Sequence, residues 1–566
     1  MTTEFDATDA AEIFFAGAVA AGLRRVLICP GSRSSPLALG ASRVPTLEHC
    51  VHLDERSAAF AALGEAKASG QPVAVLCTSG TAGVNFGPAI AEAAMSNIAV
   101  IAITADRPPE GQHWGVGQSL DQRGLFGRHV REEFTMPVGG DGGAEYSERA
   151  GWRAIASAID NIGPVHVNWP FRLPLEPKNV GRRFASALPP SPANTPRRRE
   201  ADLDALKTAI SAASAPVIVA GPDSLPIHAT KDASSILRSA ESLGIPVLAD
   251  VLSGLRGHGR VVGRPSLVTV GSELDADLVI HLGHTPTAKS IRLWWESLPY
   301  AQHVLIDPWD DWQDPSHSFD HRLTSDPAWL ISTVAATLDS SSARSNHYDS
   351  WETRGQHVDA AVHATLDNHI ELTEAHIGAS VGQWAAQDLE RTVVASSSMP
   401  VRDLDSFAPA DAAAVVLSNR GVNGIDGVVA SALGVARART DRVVVLIGDI
   451  AALHDVGSIL DAARQKSPLT LVIPNNDGGG IFSNLPMREA IDDSRFEEFF
   501  HTPHGTDFAF LGQVDNIVYS RVTSLEALTD ALVSPPATDV VIVEAPVDTK
   551  TRLELQHQII NAVTAL

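Results

Sequence analysis

Two short segments of the chain hold residues whose types and spacing could bind a metal and a diphosphate. The apolar run RVVVLIG (442–448) ends in Gly448-Asp449. A second apolar run, LTLVIP (469–474), ends in Asn475-Asn476-Asp477, followed by glycines at 478, 479 and 480. Asn476 stands 27 residues after Asp449. Two strand ends thus offer a carboxylate, a carboxamide oxygen and a glycine-rich backbone. Hard oxygens of this kind suit Mg²⁺ (or Mn²⁺), which keeps few protein ligands and takes the rest from phosphate and water. The glycines let backbone carbonyl and N–H groups approach a diphosphate closely. Taken singly, each half also reads as a helix-capping Asp or an Asn-Gly turn. The pairing, each half after a buried strand, favours the metal–diphosphate reading.

Parallel strands alternating with helices must carry these residues. Near-continuous β-branched runs mark strands covered on both faces. Five are read in the first part of the chain, RVLIC (25–29), CVHL (50–53), PVAVLC (72–77), IAVIAIT (98–104) and HVNWP (166–170). Four follow in the middle, PVIVAG (216–221), IPVLAD (245–250), ADLVIHLG (276–283) and HVLID (303–307). The last part adds RTVVAS (391–396), AAVVLS (413–418), RVVVLIG, LTLVIP and DVVIVEAP (539–546). A Pro-rich stretch within 176–200 and a Ser-rich stretch, DSSSARSNHYDS (339–350), read as linkers. The expectation is an α/β chain of three doubly wound parallel-sheet domains, at 1–185, 200–340 and 350–566. In such sheets ligands bind beyond the carboxyl ends of the strands.

Composition narrows the function. The 566 residues carry 43 Lys+Arg against 67 Asp+Glu, a formal charge of −24. That field disfavours nucleic acid and anionic membranes as partners but leaves room for a local basic pocket. No apolar run is long enough for a transmembrane helix, so no membrane insertion is expected. Cys29, Cys50 and Cys77 form no CxxC pair, and the first residues, MTTEFDATDAAE, are acidic. Both features suit a cytoplasmic protein without a leader. Phosphate-loop, HExxH and GxSxG motifs are absent. His317 and His321, and the run Arg197–Arg199, read as solvated loop residues.

The Gly-Asp…Asn-Asn arrangement resembles the metal–diphosphate motif of thiamine diphosphate enzymes, and the three-part build is similar to theirs. Ile450 stands where many members have a further glycine. Within that superfamily the chain resembles the 2-succinyl-5-enolpyruvyl-6-hydroxy-3-cyclohexene-1-carboxylate synthase (MenD) family. The resemblance covers most of the chain and is densest at CPGSRSSPLA (29–38), His52–Ala61, Thr78–Val84, TADRPPE (104–110), SNRGVNGIDG (418–427) and Pro474–Pro486. Acetolactate synthases, the nearest alternative among related decarboxylases and carboligases, do not usually carry PGSRSSPLA or SNRGxxGIDG.

The resemblance implies a cofactor, substrates and residue roles. The cofactor is thiamine diphosphate with Mg²⁺ (or Mn²⁺). The reaction joins 2-oxoglutarate to isochorismate with loss of CO₂, in menaquinone biosynthesis. Glu55, directly after the second strand, would bond the aminopyrimidine and favour the imino tautomer that takes the thiazolium C2 proton. On residue type alone Glu55 also reads as a first-turn helix carboxylate. Ser32, Arg33 and Gln118 complete the implied catalytic set. Arg107, Lys289, Ser398, Arg402 and Arg420 would contact the carboxylate substrates, arginine being suited to carboxylates by its planar fork. Phe482 and Leu485 would form an apolar wall near the reacting carbon. Ile425 would lie beneath the cofactor and Gly448 at its diphosphate. Asp449, Asn476 and the Gly478 carbonyl would hold the metal. Ser290 stands beside Lys289 where the family often has a second base, and Arg292 could take its place. The resemblance also implies a homodimer, possibly a dimer of dimers, in which Glu55 of one chain and Asp449 of its neighbour serve one cofactor.

Overall fold

The computed structural model describes residues 5–566 apart from 179–183, 193–194, 227–228, 310, 340, 411–413, 440–441 and 537–538. Parts of both expected linkers, and the first residue of AAVVLS, lie outside the described residues. The chain forms two compact units. The first comprises Met1–Asn194, Asn419–Thr440 and His454–Ser467; the second comprises Thr195–Ser418, Asp441–Leu453 and Pro468–Leu566.

The first unit contains β1 (Arg25–Ile28), β2 (Glu48–Val51), β3 (Val73–Cys77), β4 (Val100–Asp106), β5 (Glu132–Thr135) and β6 (Val165–Pro170). They form one sheet in the order β2-β1-β3-β4-β6-β5. Side chains alternate along each strand, so successive residues enter different cores. Val26 and Ile28 pack with Phe14, Phe15 and Ile155, from helices Ala7–Ala21 and Gly143–Asp160. Leu27 and Cys29 pack with Phe60, Leu63 and Ile90, from helices Glu55–Ser69 and Gly87–Met95. Cys29 and Cys77 are fully buried, and burial raises both thiols, Cys77 well above its ordinary value. They act as small core residues.

The second unit holds two sheets. One contains β7 (Pro216–Ala220), β8 (Val247–Ala249), β9 (Leu278–Leu282), β10 (Gln302–Ile306) and β11 (His321–Leu323), in the order β11-β10-β9-β7-β8. Its two faces pack into separate cores, Ile218 and Ile280 in one, Val217 and Val279 in the other. The other sheet contains β12 (Thr392–Ala395), β13 (Val415–Leu417), β14 (Val443–Leu446), β15 (Leu469–Asn475), β16 (Ile517–Arg521) and β17 (Val540–Pro546), in the order β13-β12-β14-β15-β17-β16. Ranked within its own sheet, this is the strand order of the first unit. Every strand pair among the described residues is parallel.

Several local expectations change. The second strand begins at Glu48 and ends at Val51, so His52 and Leu53 lie beyond it. The Ser-rich stretch expected as a linker opens a 26-residue helix, Ser342–Asp367, because Ser341 caps it by accepting from the Arg344 amide. The Arg344 side chain is buried and donates to the Leu243 carbonyl at 3.0 Å. His321 belongs to edge strand β11 rather than to a loop. No helix among the described residues is long and apolar enough to cross a membrane.

Candidate active site

In the first unit the chain order reverses between β1 and β3, the point where open α/β sheets take ligands. Ser32 and Arg33 lie in the loop after β1, Ser79 and Gly80 in the turn after β3, and Arg107 follows β4 directly. Gly31 is required where these loops meet, since a Cβ there would lie 2.4 Å from Thr78. Arg33 is buried and donates from Nη1 to the Phe171 carbonyl at 2.7 Å, while its Nε finds no hydrogen-bond partner among the described residues. Gln118, at φ 56°, is tied to the turn twice. Its Nε2 donates to the Ser79 carbonyl at 3.0 Å, and its own carbonyl accepts from Ser79 Oγ at 2.9 Å. Arg107 donates from Nη2 to the Gly117 carbonyl at 2.8 Å.

A buried polar network supports these loops. Gln122 Oε1 accepts from the Gly80 amide at 2.8 Å, and its Nε2 donates to Asn168 Oδ1 at 3.0 Å. Asn168 Nδ2 donates to Asp106 Oδ2 at 2.8 Å, and Asp106 Oδ1 accepts from the Arg107 amide at 2.7 Å. Burial raises the Asp106 carboxyl, opposed by the Asn168 and Arg107 donors. Sequence reading passed over Gln122, Asn168 and Asp106. The signal was available for two of them, as polar residues inside or ending the apolar runs of β4 and β6.

Glu55 opens the helix Glu55–Ser69, whose N-cap is its neighbour Asp54, accepting from the Ser57 amide at 2.8 Å. Glu55 is half-buried. Its helix packs against helix Val428–Ala438 so closely that a Cβ on Gly434 would lie 1.9 Å from the Ala61 carbonyl oxygen. Buried Asp455 ties this pair to the loop carrying Arg420 and Ile425. It accepts from the amides of Gly427 at 3.0 Å and Val429 at 2.9 Å, and pairs with Arg56 at 3.4 Å. Buried Glu92 fixes the other end of that loop, accepting from the amides of Gly421 and Val422, each at 2.7 Å. Arg420 and Ile425 are both half-buried. In front of Glu55, His52 Nε2 faces Arg437 Nη1 at 3.0 Å. A guanidinium only donates, so the imidazole proton sits on Nδ1, 2.8 Å from Asp461 Oδ2. Asp455 and Glu92 are further residues that no motif had marked. Glu92 shows only as a carboxylate within an Ala-rich helix.

In the second unit the same reversal falls between β12 and β14. Ser398 follows β12 at φ 74° and stands at the N-terminal boundary of the helix Met399–Phe407 without a side-chain capping bond, and the Arg402 side chain of that helix donates to the Ser398 carbonyl. Burial lowers the Arg402 guanidinium. Lys289 opens the helix Lys289–Glu296 and is exposed. Arg292 pairs with Glu296 at 3.3 Å, and the Ser290 hydroxyl donates to the Ser266 carbonyl at 2.5 Å. Asp250 accepts from the Thr287 amide at 2.7 Å and thereby anchors the approach to Lys289.

Asp449 follows β14 and the adjoining Gly448, and its carboxylate is buried. Oδ1 accepts from the Ile450 amide at 2.7 Å, and Oδ2 from the Gly478 amide at 3.0 Å. Oδ2 also accepts from His504 Nε2 at 3.2 Å, the His504 tautomer being set by the Thr506 amide donating to Nδ1 at 3.0 Å. Burial raises the Asp449 carboxyl, countered by these donors. Asn476 follows β15; its Nδ2 donates to Glu374 Oε1 at 3.2 Å, and its buried Oδ1 has no partner among the described residues. Burial pushes Glu374 up to about 7, with Arg552 pulling the other way. Gly478 has φ 155°, and a Cβ there would lie 2.2 Å from the His501 carbonyl. Phe482 lies within a short helical turn, Gly480–Asn484, edge-on to Phe500 at 5.7 Å, and the exposed Leu485 follows that turn. No group of three or more His, Cys, Asp or Glu side chains among the described residues is placed to hold a metal. A metal here would rely on one carboxylate with carboxamide and carbonyl oxygens. The partnerless Asn476 Oδ1 beside the Asp449–Gly478 contact fits that donor set.

Comparison with known proteins agrees with this architecture. Residues 8–125 match the family described as thiamine pyrophosphate enzyme, N-terminal TPP binding domain, and residues 411–543 match its C-terminal TPP binding domain counterpart. A 2-succinyl-5-enolpyruvyl-6-hydroxy-3-cyclohexene-1-carboxylate synthase of Chloroflexus aurantiacus is 37% identical over 531 residues, 90% of this chain and 88% of that one. The protein of the same name from Halobacterium salinarum is 36% identical over 540 residues, 89% of each chain. That from Listeria monocytogenes is 34% identical over 551 residues, 93% of this chain and 92% of its own. Identity of this extent across nearly the whole length, on sheets that put Glu55, Asp449 and Asn476 just beyond their strands, shows that the chain belongs to the 2-succinyl-5-enolpyruvyl-6-hydroxy-3-cyclohexene-1-carboxylate synthase family of thiamine diphosphate enzymes.

Proposed function

We propose that the chain catalyses the thiamine diphosphate-dependent decarboxylation of 2-oxoglutarate and addition of the remaining four-carbon unit to isochorismate. The products are 2-succinyl-5-enolpyruvyl-6-hydroxy-3-cyclohexene-1-carboxylate and CO₂, in menaquinone biosynthesis. The observation that carries this reading is that cations stand beyond strand ends in each unit, Arg33 after β1 and Arg107 after β4 in the first, and Arg402, on the helix that follows β12, in the second. Two dicarboxylate substrates call for such a set within an otherwise acidic protein.

Thiamine diphosphate, when bound, supplies the electron sink for decarboxylation and for the new carbon–carbon bond. The chain's own residues bind and orient. Glu55 would hold a proton at the aminopyrimidine ring. Asp449 and Asn476 Oδ1, with the Gly478 carbonyl, would hold Mg²⁺ or Mn²⁺, and Gly448 would serve the diphosphate. Ile425 would support the cofactor. Arg33, Arg107, Lys289, Ser398, Arg402 and Arg420 orient the substrate carboxylates, with Ser32 and Gln118 at the reacting groups. Phe482 and Leu485 exclude water. The working form in this reading is a cytosolic homodimer, possibly a dimer of dimers, built from domains at 1–185, 200–340 and 350–566.

A coupled assay with isochorismate, 2-oxoglutarate, thiamine diphosphate and Mg²⁺, omitting each in turn, tests the reading. Product formation is expected to need all four. Consumption of pyruvate alone, without dependence on isochorismate, would instead point to an acetolactate synthase-like carboligase.

Arg33→Ala and Arg420→Ala are expected to lower kcat/KM roughly 10- to 100-fold, the loss of one charged hydrogen bond each. Thiamine diphosphate binding, read by fluorescence quenching, should persist. Its collapse in both variants would remove these arginines from the substrate set.

A further inference from the structure

We propose that Glu374 is a positioning residue for the metal–diphosphate site, holding the Asn476 carboxamide so that Oδ1 is offered to the cation. The inference rests on the reading of Asn476 as a metal ligand. A carboxamide can turn over by 180° and exchange its oxygen and nitrogen ends at little cost in shape. Something must therefore decide which end faces a metal.

Glu374 begins the helix Glu374–Ala385 and is only 4% exposed. An ionised carboxylate accepts hydrogen bonds and cannot donate them. Its Oε1 lies 3.2 Å from Asn476 Nδ2, which fixes the nitrogen end on that side. Arg552 sustains the charge, with Nε 3.8 Å from Glu374 Oε2 and Nη2 donating to Asp403 Oδ1 at 3.0 Å. The Gly480 backbone passes close to the same edge, since an added Cβ there would lie 2.5 Å from Asn476 Nδ2. The opposite edge presents Oδ1, buried and with no hydrogen-bond partner among the described residues. A buried carbonyl oxygen left unpaired is costly, and a cation removes that cost. Partners that orient a ligand typically carry 10- to 100-fold of metal affinity.

The test measures Mn²⁺ binding by the EPR signal of free Mn²⁺, at pH 8 with thiamine diphosphate present, on the full-length protein. Glu374→Gln keeps the shape but offers either an oxygen or an amide group, so Asn476 is free to settle in both orientations. Mn²⁺ affinity should fall roughly 10-fold, with the melting temperature of the cofactor-free protein unchanged. Glu374→Asp retains a charge beside Arg552 but withdraws the acceptor, and should weaken Mn²⁺ binding similarly even if Glu374→Gln folds poorly. A merely structural role for Glu374 would lower the melting temperature and leave the Mn²⁺ affinity of the folded protein unchanged. Unchanged Mn²⁺ affinity in both Glu374 variants, with Asn476→Ala impaired, would overturn the proposal alone. Unchanged affinity in Asn476→Ala would overturn the ligand reading and the proposal with it.

Discussion

Glu55→Gln is expected to lower turnover by about 10³-fold, within the range that a positioned acid–base group contributes, while the melting temperature stays near that of the parent. Glutamine keeps the length and polarity of the side chain but cannot hold the negative charge that stabilises a proton on a bonded ring. The fold has little stake in that charge. Asp54 caps the helix, and Glu55 is half-buried at its first turn. Losing a carboxylate near a helix N-terminus costs about 0.3–1 kcal/mol, too little to unfold a chain of this size. Steady-state kinetics beside a thermal melt separates the two effects. A non-catalytic nucleotide-binding protein on the same sheets would leave activity and Glu55 unrelated, so an active Glu55→Gln protein would sink the cofactor-activating role. The dimer reading adds a second arm. Mixed Glu55→Gln and Asp449→Asn chains should regain activity after exchange, since some sites then receive both intact residues.

The strands legible in the sequence were those buried on both faces. β3, β4, β9, β14 and β15 read as unbroken apolar runs, and each appears within about two residues of its expected place. The three strands that escaped notice, β5, β11 and β16, all lie at sheet edges. Their sequences, EEFT, HRL and IVYSR, mix polar and apolar residues because one side meets solvent. The candidate site divides in the same way. Asp449, which follows a buried run and is paired with a glycine-rich turn, is a candidate from its position, and Arg33 is one through the resemblance. Their supports are candidates by neither route, because Glu92, Asp455, Asn168 and Glu374 act on backbone amides or carboxamides far away in sequence. Glu92 meets Gly421, 329 positions on. No local spacing encodes such a contact, and only the folded chain shows which buried carboxylate holds which loop. The repeated strand order explains why the outer two sheets place candidate site residues alike. Arg33 and Ser398 follow the first strand of each sheet, and the Ser79-Gly80 turn and Asp449 follow the third.

The platform beneath Glu55 gives the largest expected effect on stability. Helices Glu55–Ser69 and Val428–Ala438 meet through glycines on both sides. A Cβ at Gly64 would lie 2.0 Å from the Ser431 carbonyl oxygen, and one at Gly434 would lie 1.9 Å from that of Ala61 and 2.7 Å from the Glu65 amide. These neighbours are backbone atoms and cannot rotate aside. Gly434→Ala must therefore push the helices apart and loosen the packing of Phe60, Leu63 and Ala430 in one core. Overpacking of this kind costs roughly 2–3 kcal/mol, which should lower the calorimetric transition of the first unit by about 5–10 °C. Gly457 supplies the contrast. It lies on the nearby helix Val456–Arg464, and a Cβ there meets nothing within 4 Å. Gly457→Ala should be neutral or stabilising by up to about 1 kcal/mol, since alanine loses less freedom in a helix than glycine. Opposite signs for the same chemical change would locate the effect in the helix contact. Equal melting temperatures for the two variants would refute the close approach. The contact also sets how the helix of Glu55 meets the loop of Arg420 and Ile425, so kcat in Gly434→Ala should fall at temperatures well below its melt.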